Sequence, residues 1–287
     1  MAEWLPAGLA GWRAPAAAAG LVLFVALETL LPFRQRVLPQ WRHYLLNVTL
    51  TVGNAVLLRL VWGGLLVGAA AHATATGTGL LPALGVGPGW NVALTVLAFD
   101  ALTYTLHVLY HYLPAMWRLH QVHHTDLDLD ATSASRFHPG EILLSTVVQT
   151  AFALGIGARP EGVLLFQMLL LFQAQFQHSN VVLPGGVDRL ARLLIVTPNM
   201  HRVHHSVIPA ETNSNFATIL SLWDRLGGTF RWGGRQEEIR IGLGAYPDPA
   251  QSTLPRLLAM PFRPVPADPL RHTEPPPAAP RRSPEGP

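Results

Sequence analysis

Five apolar stretches punctuate the chain, at residues 16–31, 45–71, 91–113, 142–157 and 162–183. A spanning helix needs about 20 predominantly apolar residues, and the second and third stretches meet that length. The first lacks a basic start and is followed by more apolar segments rather than by a soluble domain, so it reads as a membrane helix and not as a cleaved signal. Residues 72–89 carry Thr, Gly and Pro without charge and are expected to form a loop. The last two stretches are short and joined by the turn 158–161, which predicts a hairpin. The expected fold is an all-α integral membrane protein with about four to five transmembrane helices.

Composition agrees with that pattern. Hydrophobic residues make up 49% of the 287 and charged residues only 13%, about half the usual share for a soluble domain. There is no cysteine, which excludes disulfides, thiolate metal sites and cysteine nucleophiles. All 20 basic residues are arginine. None forms a run beside stacking aromatics, so nucleic acid is not an expected partner. Arg34, Arg36 and Arg42 follow the first stretch, Arg118 and Arg136 the third, and Arg189, Arg192 and Arg202 the fifth, while residues 72–89 have none. The bias places these connections and the C-terminus in the cytoplasm and the N-terminus outside, with Arg159 the single dissent. Arginine-only basicity with abundant Ala, Gly and Pro suggests GC-rich coding, hence a bacterial inner membrane.

The organisation expected from these features has N-terminal membrane helices and a loop over residues 1–89 and a histidine-rich domain over 90–235. A C-terminal extension follows over 236–260, then a Pro-rich disordered tail over 261–287.

Ten of the 13 histidines fall between His107 and His205. Asp100, Tyr104, His107 and His111 are spaced 4, 3 and 4 apart, which puts them on one helical face. Two copies of a five-residue pattern follow, His120-Gln-Val-His-His124 and His201-Arg-Val-His-His205. Neutral imidazole is the commonest nitrogen ligand for transition metals. Packed imidazoles with no metal would repel on protonation and leave donors unsatisfied. The clusters supply His107, His111, His120, His123, His124, His201, His204 and His205, and His138 and His178 bring the set to ten. That is too many for one ion and suits two, with four or five nitrogens each. The His-Glu-x-x-His pattern of zinc hydrolases is absent. Asp126, Asp128 and Asp130 either orient imidazoles or form a solvated connection, and Asp100 is the better candidate to orient a ring. Glu141, Asp188, Asn199, Asn213 and Asp224 are weaker candidates. His43 is expected at the membrane interface, and His72 and His272 in loop and tail.

The motifs His107-x3-His111, His120-x2-His-His124 and His201-x2-His-His205 resemble those of the fatty acid hydroxylase/sterol desaturase superfamily of membrane di-iron enzymes. Flanking matches are Arg136-Phe-His-Pro-Gly-Glu141, His178-Ser-Asn180, Thr197-Pro-Asn-Met-His-Arg202 and the stretch from Asn213 to Trp223-Asp224. The resemblance covers about half the chain. It implies two iron ions bound on the cytoplasmic side, in a helical cap that carries the histidine cluster, with O2 as co-substrate. His138 matches a His-Pro pair of the family, and either it or a water completes the second iron. Some members have a further histidine where this chain has Ala174. Asp100, Tyr104 and Asn180 are candidates for residues behind the ligands.

The implied activity is O2-dependent hydroxylation or desaturation of a lipid C–H bond, with a fatty-acyl or polar lipid the first choice and a sterol or carotenoid the alternative. No nucleotide, haem or flavin signature is present, so a separate electron carrier is an expected partner, and the lipid is expected to enter from the bilayer. Readings from another class are a histidine-rich metal transporter and a non-catalytic metal-binding membrane protein. The five-residue motifs lie outside the apolar stretches, which disfavours transport.

Overall fold

The computed structural model describes residues 5–62 and 64–264, with side chains from residue 11 onward. In chain order the helices are α1 (Leu5–Leu30), α2 (Gln40–Trp62), α3 (Leu65–Thr76), α4 (Leu80–Ala83), α5 (Pro88–Tyr112) and α6 (Pro114–His124). Then come α7 (Pro139–Ile156), α8 (Pro160–His178), α9 (Gly185–Ala191), α10 (Pro198–His204), α11 (Pro209–Thr212), α12 (Leu222–Leu226) and α13 (Leu254–Ala259). Among the described residues the only β-pairing is two isolated bridges, Ile195 with Leu220 and Ser206 with Ile241. The protein is all-α, and among the described residues four helices are long and apolar enough to cross a membrane: Gly11–Leu30 within α1, then α2, α5 and α7. Helix α8 is of similar length but carries Gln167, Gln173, Gln175 and Gln177.

Proline sets where many of these helices begin. Pro88, Pro114, Pro139, Pro160 and Pro198 occupy the first turns of α5, α6, α7, α8 and α10, where the missing N–H costs nothing. Pro114 matters most. It forces Leu113 into an extended conformation (φ −93°, ψ 117°), so α5 stops and α6 leaves in a new direction. Two histidine motifs close in sequence thereby come from different helices.

The second apolar stretch departs from its expected single span. Gly64 takes φ 90° and divides it into α2 and α3. Helix α3 continues through His72 and stops at Gly77 (φ 64°), because nothing between residues 65 and 76 breaks a helix. His72 is therefore an exposed helical residue rather than a loop residue, and α4 adds a further turn before α5.

Helix α8 is central and packs against α1, α3, α5 and α10. Leu66, Phe99, Ala153, Val163 and Phe166 form a core between α3, α5, α7 and α8. At one end of this bundle the turns after α3 and α7 meet. A Cβ on Gly79 would lie 2.2 Å from the Gly157 nitrogen, and one on Gly157 would lie 2.5 Å from the Thr78 carbonyl oxygen. Gly157 also takes φ 70°. Asn91 closes this end, donating from Nδ2 to the Gly157 carbonyl and accepting from the Arg159 N–H.

At the other end the arginine-bearing connections gather. Val37 and Leu38 donate their N–H groups to Asp128 at 2.8 Å each. Arg36 pairs with Asp130 and Glu28, and Arg34 donates its N–H to Asn180 Oδ1. His43 is fully buried here, not interfacial as expected. Its Nδ1 donates to Asp130 and its Nε2 to Asp126, both at 2.7 Å. Asp126, Asp128 and Asp130 are all buried. They are neither a solvated connection nor partners of the clustered rings. Burial pushes Asp126 up, but His43 and Arg136 hold it well below the usual carboxylate range. Arg136, buried, donates to the Val122 carbonyl and to Asn47 Oδ1. Such an ion network does little for net stability, but it fixes how α2 meets the loop after α6.

The C-terminal part returns to α6. Leu257 and Met260 pack on Val122 and Leu50, and Arg118 donates to the carbonyls of Pro261 and Arg263. The chain is thus still packed at residues 261–263. The rest of the Pro-rich tail expected from residue 261, with His272, lies outside the described residues.

Gly157→Ala is expected to cost about 1–2 kcal/mol for the left-handed backbone alone, more with the Thr78 contact, and to lower the thermal unfolding midpoint by several degrees. Gly155→Ala, in the last turn of α7 just before that cap and with nothing within 4 Å, is expected to be neutral or slightly stabilising. Thermal unfolding of the two variants in detergent checks the contrast.

Candidate metal centre

The histidine motifs converge from four segments. His107 and His111 come from the last turns of α5, and His120, His123 and His124 from α6. His178 ends α8, and His201, His204 and His205 come from α10 and its C-cap. They fall into two groups. His107, His111, His120, His124 and His204 form one, and His123, His178, His201 and His205 the other, with ligand atoms within 4.8 Å of one another in each. The groups are adjacent, since the rings of His124 and His205 stack with centroids 4.6 Å apart. Nine of the ten histidines singled out in the sequence are brought together.

The tenth, His138, stands outside both groups. Its Nδ1 accepts from the Gly140 N–H, capping α7, and its Nε2 donates to the Leu258 carbonyl. Pro139 starts α7 directly after it, so His138 takes the helix-start role.

Protein acceptors decide which ring nitrogen is free. The Nδ1–H of His107 donates to the Phe216 carbonyl, that of His204 to the Ser214 carbonyl (both 2.7 Å), and that of His111 to Asn213 Oδ1 at 3.1 Å. One short strap, residues 213–216, thus orients three rings of the first group. His120 donates from Nδ1 to Glu141 at 2.7 Å, and His178 to the Ala174 carbonyl at 2.7 Å. Each such bond leaves Nε2 as a bare lone pair facing inward.

The strap is itself held down. Asn215 sits in the left-handed region (φ 53°) and bonds through its side chain to the Met200 and Arg231 carbonyls. Asp224 accepts the N–H groups of Phe216 and Ala217. Asp100 accepts from the Ile219 and Leu220 N–H groups and from the Trp223 indole. Asp100 therefore touches no imidazole, contrary to expectation. Its helical stripe with the histidines is real, but its partner is the loop behind them. Tyr104 bonds to Thr229, and Asn180 to Arg34 and Glu28, so neither lies directly behind a ring. Thr197 caps α10, accepting from the Met200 N–H while donating to Asp188. Asn199 pairs with the backbone of Leu183.

The arrangement fits a pair of metal ions on its own geometry. His107 Nε2 and His120 Nε2 are 3.1 Å apart while each ring's Nδ1–H is committed elsewhere. Two lone pairs therefore face each other, a contact that a shared cation relieves. His178 Nε2 lies 3.1 Å from His123 Nε2 and 2.9 Å from His201 Nε2, and His205 Nε2 lies 3.1 Å from His201 Nε2. His111 Nε2, His204 Nε2 and both nitrogens of His124 are buried with no hydrogen-bond partner. Burial first, and then the neighbouring rings, push His123, His124, His201, His204 and His205 well below the ordinary histidine range. The rings are thus neutral at physiological pH, the form that binds a metal.

A cavity of about 380 Å³ opens beside both groups. His107, His120, His123, His178 and His201 line it, together with residues of α2, α5, α7 and α8. On α2 it is lined by Thr51, Ala55 and Leu58, of which Thr51 and Ala55 are otherwise exposed.

The sequence placed Glu141 and Asn213 among the weaker candidates and gave Ser214 and Phe216 no role. Glu141 could have been found from its place in Arg136-Phe-His-Pro-Gly-Glu141, one turn into a helix beside the motifs. The Ser214 and Phe216 carbonyls carry no residue-type signal at all.

Comparison with known proteins agrees with this geometry. Residues 92–229 match the Fatty acid hydroxylase family, a span that contains all nine grouped histidines. Ornithine lipid hydroxylase OlsE of Rhizobium tropici is 30% identical over 155 residues, 54% of this chain and 46% of that protein. Alkylglycerol monooxygenase of Homo sapiens is 31% identical over 154 residues, 54% of this chain and 33% of that protein. Cholesterol 25-hydroxylase of Rattus norvegicus is 25% identical over 154 residues, 53% of this chain and 50% of that protein. The chain spans half or less of the length of these three relatives. No solved structure matches it significantly. With the histidine motifs inside the matched span and the membrane helices around it, residues 92–229 carry a fatty acid hydroxylase domain of the kind found in the fatty acid hydroxylase/sterol desaturase superfamily.

Proposed function

We propose that this chain is an O2-dependent hydroxylase of a fatty-acyl or polar membrane lipid, with two iron ions held by the two histidine groups. The observation that carries the reading is that rings of both groups line a cavity whose walls include the membrane-length helices α2, α5 and α7. Relatives named for hydroxylation of ornithine lipid and mono-oxygenation of alkylglycerol support hydroxylation over desaturation.

His107, His111, His120, His124 and His204 would hold one iron and His123, His178, His201 and His205 the other. When bound, such a pair supplies the reduction of dioxygen with two external electrons and the oxidation of an unactivated C–H bond. The chain's own contribution is positioning. Five hydrogen bonds, to Phe216, Asn213, Glu141, Ser214 and Ala174, fix the tautomer and direction of five rings. The Glu141 carboxylate adds basicity to His120. The helix walls keep bulk water from the reacting carbon and bring the chain of a lipid against the ligand rings. Electrons come from a separate carrier protein docking on the cap, which faces the cytoplasm with the arginine-rich connections, in a bacterial inner membrane.

Purified protein is expected to carry about two irons per chain. His204→Ala and His205→Ala are each expected to lose about one of them, whereas His138→Ala keeps both. Elemental analysis of the folded variants reads the difference, and full retention in both ligand variants overturns the assignment. Glu141→Gln is expected to weaken iron binding roughly 10- to 100-fold, read by competition with a chelator. For the activity, lipid extracts of cells with and without the chain, compared by mass spectrometry, should show a species heavier by one oxygen. Its absence, with iron present and a reductant supplied, refutes hydroxylation.

A further inference from the structure

Helices α9 and α12 are too short to cross a membrane, yet the segment they belong to is not held above the bundle. It docks on the flank of α5 and α8. Asp100, the middle residue of α5, accepts the N–H groups of Ile219 and Leu220 and the Trp223 indole N–H. Gln173, five residues before the end of α8, donates from Nε2 to the Val196 carbonyl. Depth follows from length. The 25 residues of α5 extend about 37 Å, against about 30 Å of hydrocarbon in a bilayer. The stretch from Asp100 to Tyr112 covers about 18 Å of that, so Asp100 stays inside the hydrocarbon even if the whole excess of about 7 Å projects on the histidine side. Residues 219–223, bonded to Asp100, share its level. The chain then climbs, since Thr229 bonds to Tyr104, one turn nearer the histidines, and Arg225 lies between the two levels.

What this segment shows to its surroundings is apolar. Helices α9 and α12 are stitched together: the Arg192 carbonyl accepts from Ser221 Oγ and Arg225 Nη2, and the Leu194 carbonyl accepts the Ser221 N–H. Around that joint Leu190, Leu194 and Leu226 are 72%, 70% and 71% exposed, and Leu193 and Leu222 are exposed beside them. Leucines exposed together in this way mark a contact surface. The free charges among them have one sign. Arg189 and Arg225 are exposed, and Arg189 has no hydrogen-bond or ion-pair partner among the described residues. The carboxylates of α9 and α12 are buried and committed, Asp188 to Arg192 and Thr197, and Asp224 to the N–H groups of Phe216 and Ala217.

We infer that α9, the turn 192–194 and α12 form a ledge inserted into the leaflet on the histidine side, with its leucines in hydrocarbon and Arg189 and Arg225 extended to the phosphates of anionic phospholipids. Two observations choose that occupant over a protein partner. The ledge is continuous with the flank of a membrane-spanning helix at hydrocarbon depth. Its free charges are cations on long apolar stems, which reach from hydrocarbon to a headgroup, and no exposed carboxylate of α9 or α12 opposes an anionic lipid. The inference stands apart from the hydroxylase reading, because it concerns how the chain sits in the bilayer and not what it oxidises.

The chain has no cysteine, so single cysteines report position without background. Leu190→Cys, Leu194→Cys and Leu226→Cys are made in the full-length protein, with Glu237→Cys, at an exposed polar position, as the control. Each is labelled with bimane and reconstituted in vesicles of phosphatidylcholine and phosphatidylglycerol. Phosphatidylcholine with brominated acyl chains is expected to quench the three ledge labels, and aqueous iodide on both sides of the bilayer the control, each about twofold or more over the other quencher. Iodide quenching of the ledge labels equal to that of the control overturns the insertion. So does shielding from both quenchers, which a protein partner or a second copy of the chain would produce. Headgroup choice is read by placing the bromines on phosphatidylglycerol instead, at the same mole fraction. The Leu190→Cys label is expected to be quenched about twofold more strongly than by brominated phosphatidylcholine, and the excess is expected to vanish when Arg189→Gln and Arg225→Gln are added. Equal quenching by the two lipids with both arginines present, or an excess that survives both substitutions, overturns the assignment to phosphates.

Discussion

Nine imidazoles must point their lone pairs at two small regions of space, away from water, and everything around the centre answers to that requirement. Lone pairs about 3 Å apart repel unless a cation lies between them, and burial keeps His123 and His201 from escaping the repulsion by protonation. The rings must therefore be held from behind. Five hold through their other nitrogen. The remaining rings are held by packing, as where Phe137 lies flat on His123 at 4.6 Å between centroids.

The fold supplies these restraints by joining distant stretches at one end of the membrane bundle. The Pro114 break turns α6 back over the end of α5, and the Thr197 cap aims α10 into the same space. The strap is tied to its own following turn through Asp224, and the residues just after the strap are tied to α5 through Asp100. The ion network around His43 fixes the loop after α6 against α2. Each tie is a buried polar group with its partner present, the condition under which such networks rigidify rather than destabilise.

Much of this was legible in the sequence. Apolar length gave the membrane helices, and the repeated His-x2-His-His pattern gave the ligands, because both are local signals. What failed was non-local. Asp100 shares a helical face with His107 and His111, so periodicity assigned it to a ring, whereas its partners are some 120 residues away in the chain. The alternation of Asp126, Asp128 and Asp130 with leucine looks solvated, yet each carboxylate is buried by a partner from the first forty-odd residues, His43, Arg36 or the Val37 and Leu38 N–H groups. His138 reads as a ligand by company and as a cap by its neighbour Pro139, and the geometry gives it the cap. The break at Gly64 depends on a backbone conformation that glycine permits but does not announce.

Three of the five groups behind the rings, at Ala174, Ser214 and Phe216, are peptide carbonyls. No exchange of one side chain for another can delete them. At those positions the centre is buffered against genetic drift, and the identity of the residue is free to follow other demands, such as packing or the shape of the bound molecule. Glu141 and Asn213 have no such immunity, so heritable damage to this outer layer should concentrate on those two.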